Sequence, residues 1–138
     1  MDKKYKNSLY HFVVNTNTSN YVYEQMDRSK KEAFVGRLIS GVSKLKSDIN
    51  SYTKNKDVIS NVKTFQANLE VGPLRKFIHV DGIIELDNYN MLDYPSIRKM
   101  LNTEMGEYSK GVHLDVKYVH DNRATVEEYA NKDGLRLI

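Results

Sequence analysis

The sequence has no cysteine. That excludes disulfides, zinc–thiolate sites and a cysteine nucleophile. No apolar run approaches the roughly 20 residues a membrane-spanning helix needs. The N-terminal MDKKYKNSLYHF carries positive charge, but neither a continuous apolar stretch nor a small-residue cleavage site follows it, so it does not read as a secretory signal. Four histidines are present (His11, His79, His113 and His120), yet none falls in an HExxH spacing, which removes a zincin-type protease site. GxGxxG, the P-loop pattern and GxSxG are also missing, and dinucleotide binding, P-loop chemistry and the hydrolase elbow lose support with them. No internal repeat or low-complexity segment is visible.

What is there reads as one globular domain over residues 1–138. The chain suits a single core at 138 residues, with 40% hydrophobic and 28% charged residues. Its net charge of +3 and pI near 8.9 permit nucleic-acid binding without requiring it.

Leu9 to Asn15 is rich in β-branched and aromatic residues and reads as a strand. Thr16 to Asn20 follows as a polar loop. From Arg28 to about Asn50 the pattern becomes helical, with Ser29 as N-cap, Glu32 as its capping-box partner, and Ala33, Phe34, Leu38, Val42, Leu45 and Ile49 as the apolar stripe. Lys30, Lys31, Arg37, Lys44 and Lys46 lie mostly off that stripe, as on a solvated basic face. Asn50 to Asp57 reads as a linker, Val58 to Glu70 as a strand and Phe77 to Leu86 as another. The Ile83-Ile84 doublet in the latter suggests burial on both faces. After a loop to Asp93, Pro95 opens a helix that carries Ile97, Met100, Leu101 and Met105. Gly106 and Gly111 bracket a connection. Val112 to His120 alternates as a strand, with Leu114, Val116, Tyr118 and His120 facing one way and His113, Asp115, Lys117 and Val119 the other. A final helix over Ala124 to Lys132 is capped by Thr125 and Glu128, with Val126, Tyr129 and Ala130 inward, and ends at Asp133-Gly134. The expected class is α+β, a central antiparallel sheet covered mainly on one face by helices.

The chemistry-bearing stretch is Leu69 to Leu86, two apolar-rich runs around Gly72-Pro73, which reads as a β-hairpin. His79 and Asp81 are two apart and share a strand face. Glu70 lies on the run that pairs beside them. Taken singly, His79 is a core or edge histidine, Asp81 before Gly82 a local bend, and Glu70 a turn cap. Taken together, two carboxylates and an imidazole suit a hard or borderline cation, Mg²⁺ or Mn²⁺ above zinc. Tyr129 and Lys132, three apart, share a helix face.

These residues carry a resemblance. Glu70-Val71-Gly72, then His79-Val80-Asp81-Gly82, resembles the E-V-G stretch and the H-hydrophobic-H or HLQG strand of replication-initiator (Rep) proteins of the HUH endonuclease superfamily, found in small circular single-stranded DNA viruses and related elements. Tyr129-Ala130-Asn131-Lys132-Asp133-Gly134 resembles their Y-x-x-K helix, and Phe12-Val13-Val14-Asn15 loosely matches their F-T-x-N strand. The order agrees from about Tyr10 to Gly134. Asp81 stands where the family has His or Gln.

The resemblance implies a Rep-like or RRM-like two-layer sandwich. It implies a metal-dependent, site-specific single-stranded DNA endonuclease and strand transferase that initiates replication through a 5′-phosphotyrosine link. Tyr129 would be the nucleophile, assisted by Lys132. Glu70, His79 and Asp81 would hold Mg²⁺ or Mn²⁺, and Asn15, Thr16 and Asn17 would contact DNA. The implied partners are single-stranded DNA at an origin or stem-loop, with a helicase domain or replication proteins, and no membrane. The implied location is intracellular, in the host nucleus for a eukaryotic virus. Many Rep proteins continue into a helicase domain, whereas this chain stops four residues after Gly134, as an excised or stand-alone nuclease domain would. The alternative is a catalytically diverged Rep-like domain that binds nucleic acid or serves structurally.

Overall fold

The computed structural model describes residues 7–55, 61–71, 76–87, 93–119 and 134–138. Its elements are β1 (Asn7–Ser19), α1 (Asn20–Gln25), α2 (Arg28–Asn55), β2 (Val62–Glu70), β3 (Phe77–Leu86), α3 (Asp93–Met105), a 3₁₀ turn (Gly106–Tyr108), β4 (Ser109–Val119) and β5 (Leu135–Arg136).

The strands form one sheet in the order β4-β1-β3-β2-β5, and every neighbouring pair is antiparallel. β1 and β2 are therefore parallel to each other with β3 between them, and α2 links them. β3 and β4 are likewise parallel across β1, and α3 links them. Two interleaved β–α–β units of this kind make the ferredoxin-like arrangement, and the α+β expectation holds.

Strand alternation divides the sheet into two faces. Tyr10, Phe12 and Val14 of β1, Phe65, Ala67 and Leu69 of β2, and Ile78, Val80 and Ile84 of β3 face the helices and form the apolar core with them. α2 contributes Phe34, Leu38, Val42, Leu45 and Ile49, spaced by threes and fours as one helix face requires. α3 adds Ile97, Leu101 and Met105. Ala33, expected on the stripe, is exposed. No helix among the described residues is long and apolar enough to cross a membrane.

Several boundaries differ from the expected ones, each for a local reason. Thr16 to Ser19 continues β1 instead of looping, because Thr16 pairs with Ser109 and Ser19 with Phe77. Ser19 then caps α1, its hydroxyl accepting from Val22 N–H at 3.1 Å. The N-cap of α2 is Asp27 and not Ser29: Asp27 Oδ1 accepts from Lys30 N–H at 2.9 Å. Glu32, free of the capping role, pairs with Arg28 at 3.0 Å. α2 runs on to Asn55 through the expected linker, and Gly111 lies inside β4. The start of the expected strand (Val58 to Ser60), Gly72-Pro73, His120 and the helix over Ala124 to Lys132 lie outside the described residues.

The second sheet face carries polar side chains that are nonetheless buried. Gln66, Asn68, His79, Asp81 and Glu85 are at most 6% exposed. Buried polar groups are costly unless they are hydrogen-bonded, and here they bond to one another within and across the strands. Thr64 Oγ1 donates to Glu85 Oε1 at 3.0 Å, and Gln66 Nε2 to Asn68 Oδ1 at 3.5 Å. Ile83, also on this face, and Ile84 on the other are both buried, as expected for the central strand.

Candidate metal centre

The β2–β3 register sets Glu70 directly opposite His79 and Asn68 opposite Asp81. Directly opposed residues on one face have Cβ atoms about 5 Å apart, within side-chain reach. His79 Nε2 lies 2.5 Å from Glu70 Oε2. A carboxylate only accepts, so the ring nitrogen donates. Ligand atoms of Glu70, His79 and Asp81 all lie within 4.8 Å of one another. The hairpin thus brings together the three residues that its sequence singled out.

The donor set fits a divalent cation. It offers two carboxylates and one imidazole, the combination that suits Mg²⁺ or Mn²⁺. His79 and Asp81 are buried and Glu70 is half-buried, so an ion here would be shielded from water on most sides. His79 Nδ1 is buried with no hydrogen-bond partner among the described residues. A polar atom in that state costs about 1–3 kcal/mol, and it leaves the ring with an unused ligand position.

The other assigned residues separate. Asn15 is directly opposite His79 across β1 and β3 and is half-buried, so the match to the F-T-x-N strand ends beside the candidate centre. The pairing of β1 shifts register just after Asn15 on both of its sides, a bulge that re-aims the side chains beyond it. Thr16 is buried, and its hydroxyl donates to Ile78 O at 2.6 Å. It ties down the strand end and presents no surface to DNA. Asn17 is exposed and borders a cleft with Phe34, Arg37 and Leu38 of α2, away from the Glu70–His79–Asp81 group. Tyr129 and Lys132 lie outside the described residues, in the stretch joining β4 at one sheet edge to β5 at the other.

Two further features belong to this face of the sheet. His11 Nε2 lies 2.5 Å from Asp81 Oδ1. The signal for it was the alternation of β1, which puts His11 on the face opposite Tyr10 and Phe12. Its partner strand could not be named from spacing alone. The second feature is a cationic aromatic: Lys110 Nζ sits 3.8 Å from the ring centroid of Phe77 and Lys76 Nζ 5.6 Å, two residues along β3 from His79. Of the tyrosines after the first strand, Tyr21 is exposed, while Tyr23 packs on Phe34 with ring centroids 5.7 Å apart.

No family model matches the chain, and no curated protein matches it. Among solved structures, a crystal structure from Bacteroides fragilis NCTC 9343, described as a dimeric protein of unknown function and ferredoxin-like fold, is similar at 11% identity. The match covers 81% of this chain and 96% of that one, with a TM-score of 0.44.

Proposed function

We propose that the chain is a metal-dependent, site-specific single-stranded DNA endonuclease and strand transferase of the Rep type. The observation that carries this reading is the convergence of Glu70, His79 and Asp81, with ligand atoms within 4.8 Å of one another. Asn15 opposite His79, and the Lys76 and Lys110 ammonium groups around Phe77, add support for a nucleic acid beside that group.

In this reading Tyr129 Oη attacks the scissile phosphorus of single-stranded DNA. The Oη–P bond forms and the P–O3′ bond breaks. Tyr129 gives up its proton, and the 3′ oxygen leaves as a hydroxyl after taking one from solvent. The 5′ end remains on Tyr129 as a phosphotyrosine, and the free 3′-hydroxyl is open to a polymerase. Attack by a 3′-hydroxyl on the phosphotyrosine reverses the step and joins ends. A phenol of pKa about 10 is mostly protonated at neutral pH, so the nucleophile needs a neighbour that favours its anion. Lys132, three residues on, is assigned that role. Glu70, His79 and Asp81 would hold the cation. Mg²⁺ or Mn²⁺ there would polarise the phosphate oxygens and offset their developing charge.

The test is a covalent-adduct assay with Mn²⁺ and a panel of single-stranded oligonucleotides. The parent forms a protein–DNA adduct with one of them. Tyr129→Phe binds that oligonucleotide and forms none. A Tyr129→Phe chain that cleaves as well as the parent refutes the nucleophile.

A second reading has its own observation. Glu70–His79 and His11–Asp81 are hydrogen-bonded pairs, which lowers the cost of burying these groups without an ion. On that reading the chain is a Rep-like domain diverged in catalysis, binding nucleic acid or serving structurally. It predicts no adduct with any metal and no heat on titration with Mn²⁺.

A further inference from the structure

We propose that His11 is a positioning residue for Asp81, fixing the orientation in which that carboxylate meets the ion. The inference rests on the metal site of the proposed function and adds to it a residue from a third strand.

The contact is specific. His11 Nε2 donates to Asp81 Oδ1 across 2.5 Å, between residues 70 apart in sequence. The β1–β3 register places Val13 opposite Asp81 and His11 opposite Ile83. The pair is therefore diagonal, and the imidazole reaches two residues along the strand to meet the carboxylate. His11 is not part of the group whose ligand atoms lie within 4.8 Å of one another. It stands behind Asp81, as an outer partner stands behind a metal ligand.

Exposure points the same way. The His11 side chain is 38% exposed and the Asp81 side chain 9%. Core packing does not dictate where a histidine so open to solvent points, so the hydrogen bond orients the ring. The buried carboxylate gains a donor on one oxygen, which fixes the plane of the group. An aspartate has a short side chain with two torsions. Holding one oxygen leaves it little freedom to turn away from Glu70 and His79.

The outer partners of metal ligands typically contribute 10–100-fold to metal affinity. The full chain, stripped with chelator, is titrated with MnCl₂ by calorimetry, and the bound Mn²⁺ is followed by electron paramagnetic resonance. His11→Ala should weaken Mn²⁺ binding by roughly 10–100-fold and broaden the bound-ion spectrum. His11→Gln, whose amide N–H reaches much as Nε2 does, should restore binding to within about threefold of the parent, a small fraction of the loss expected for an outer partner. The metal-free unfolding midpoint should fall in His11→Ala, which takes this donor from the buried Asp81 carboxylate, and stay near the parent's in His11→Gln. A His11→Ala chain that binds Mn²⁺ as tightly as the parent overturns the inference and leaves the metal site standing. Equal losses in His11→Ala and His11→Gln also overturn it, because the amide supplies the donor. A parent that takes up no Mn²⁺ overturns the metal site and this inference together.

Discussion

The ring of Phe12 lies directly over Gly82, its partner across β1 and β3. A Cβ built on Gly82 would come 2.1 Å from Phe12 Cζ and 2.2 Å from Cε1. Gly82 follows Asp81, and its φ is not positive. The glycine is therefore not a bend after the candidate ligand. It is the seat that lets an aromatic ring cross the strand from the core side. Gly82→Ala should destabilise the fold by about 1–3 kcal/mol through overpacking, read as a lower urea midpoint at unchanged m-value. Combined with Phe12→Leu, it should cost less than the sum of the two single changes, since the residues touch. Strict additivity would show that the ring moves aside freely.

Asp93 opens α3 with no solvent exposure and accepts a hydrogen bond from Tyr52 Oη at 2.6 Å. Burial pushes its carboxyl above the ordinary carboxylate range, and the Tyr52 hydrogen bond only partly opposes this. The folded chain thus holds this proton to higher pH than the unfolded chain does. The unfolded chain binds fewer protons in that window, so stability falls as pH rises from the unfolded pKa through the folded one. Asp93→Asn keeps an acceptor for Tyr52 and cannot ionise. Relative to the parent, it should gain stability as pH is raised from about 4 to 7, and the difference should shrink on acidification. Urea midpoints for both chains across that range check it. A difference independent of pH would contradict the raised carboxyl.

Gly134 has φ of +126°, a conformation L side chains rarely adopt, and a Cβ there would lie 2.9 Å from Leu69 O. It admits the chain to β5, just after which Leu137 N–H donates to Ala67 O at 2.8 Å. Gly134→Ala should cost about 1–3 kcal/mol of local strain. Amide exchange should quicken at Leu137 beside β5 and stay slow at Val80 in central β3. Uniform acceleration across the sheet would mean that β5 is not a separable edge.

Legibility in the sequence followed the range of the interaction. The bounds of Phe77 to Leu86 are legible because apolar residues recur along the whole stretch, from Phe77 and Ile78 to Ile83, Ile84 and Leu86. That Glu70 lies near His79 is legible because the two are nine residues apart in one hairpin; their direct bond is not. Thr16 to Ser19 carries no local strand signal. Its residues are polar, and what extends them is pairing with Phe77 and Ser109, tertiary contacts that override local propensity. The same distance hid His11, whose partner is 70 residues away and whose register nothing local fixes. β5 leaves no signal in the sequence, because two residues give no period. At the α2 N-terminus two caps competed, and the Ser29-x-x-Glu32 pattern drew attention from Asp27, which makes the bond.

Glu70 and His79 are bonded to each other at 2.5 Å. If the ion takes His79 through Nε2, that bond has to yield and the ion must provide more than it displaces; through Nδ1 the bond can stay. Glu70→Gln keeps an acceptor oxygen for His79 while removing the charge. The metal-free stability of Glu70→Gln should therefore stay within about 1 kcal/mol of the parent, the size of one net hydrogen bond. Its response to Mn²⁺ should differ much more. A ligand at one hundred times its dissociation constant stabilises the folded state by about 2.7 kcal/mol. If the substitution weakens binding a hundredfold, the same Mn²⁺ concentration gives Glu70→Gln only about 0.4 kcal/mol. Thermal unfolding with and without Mn²⁺ compares the two chains directly. An equal Mn²⁺-induced shift in both would remove Glu70 from the ligand set and leave it as the hydrogen-bond partner that orients His79.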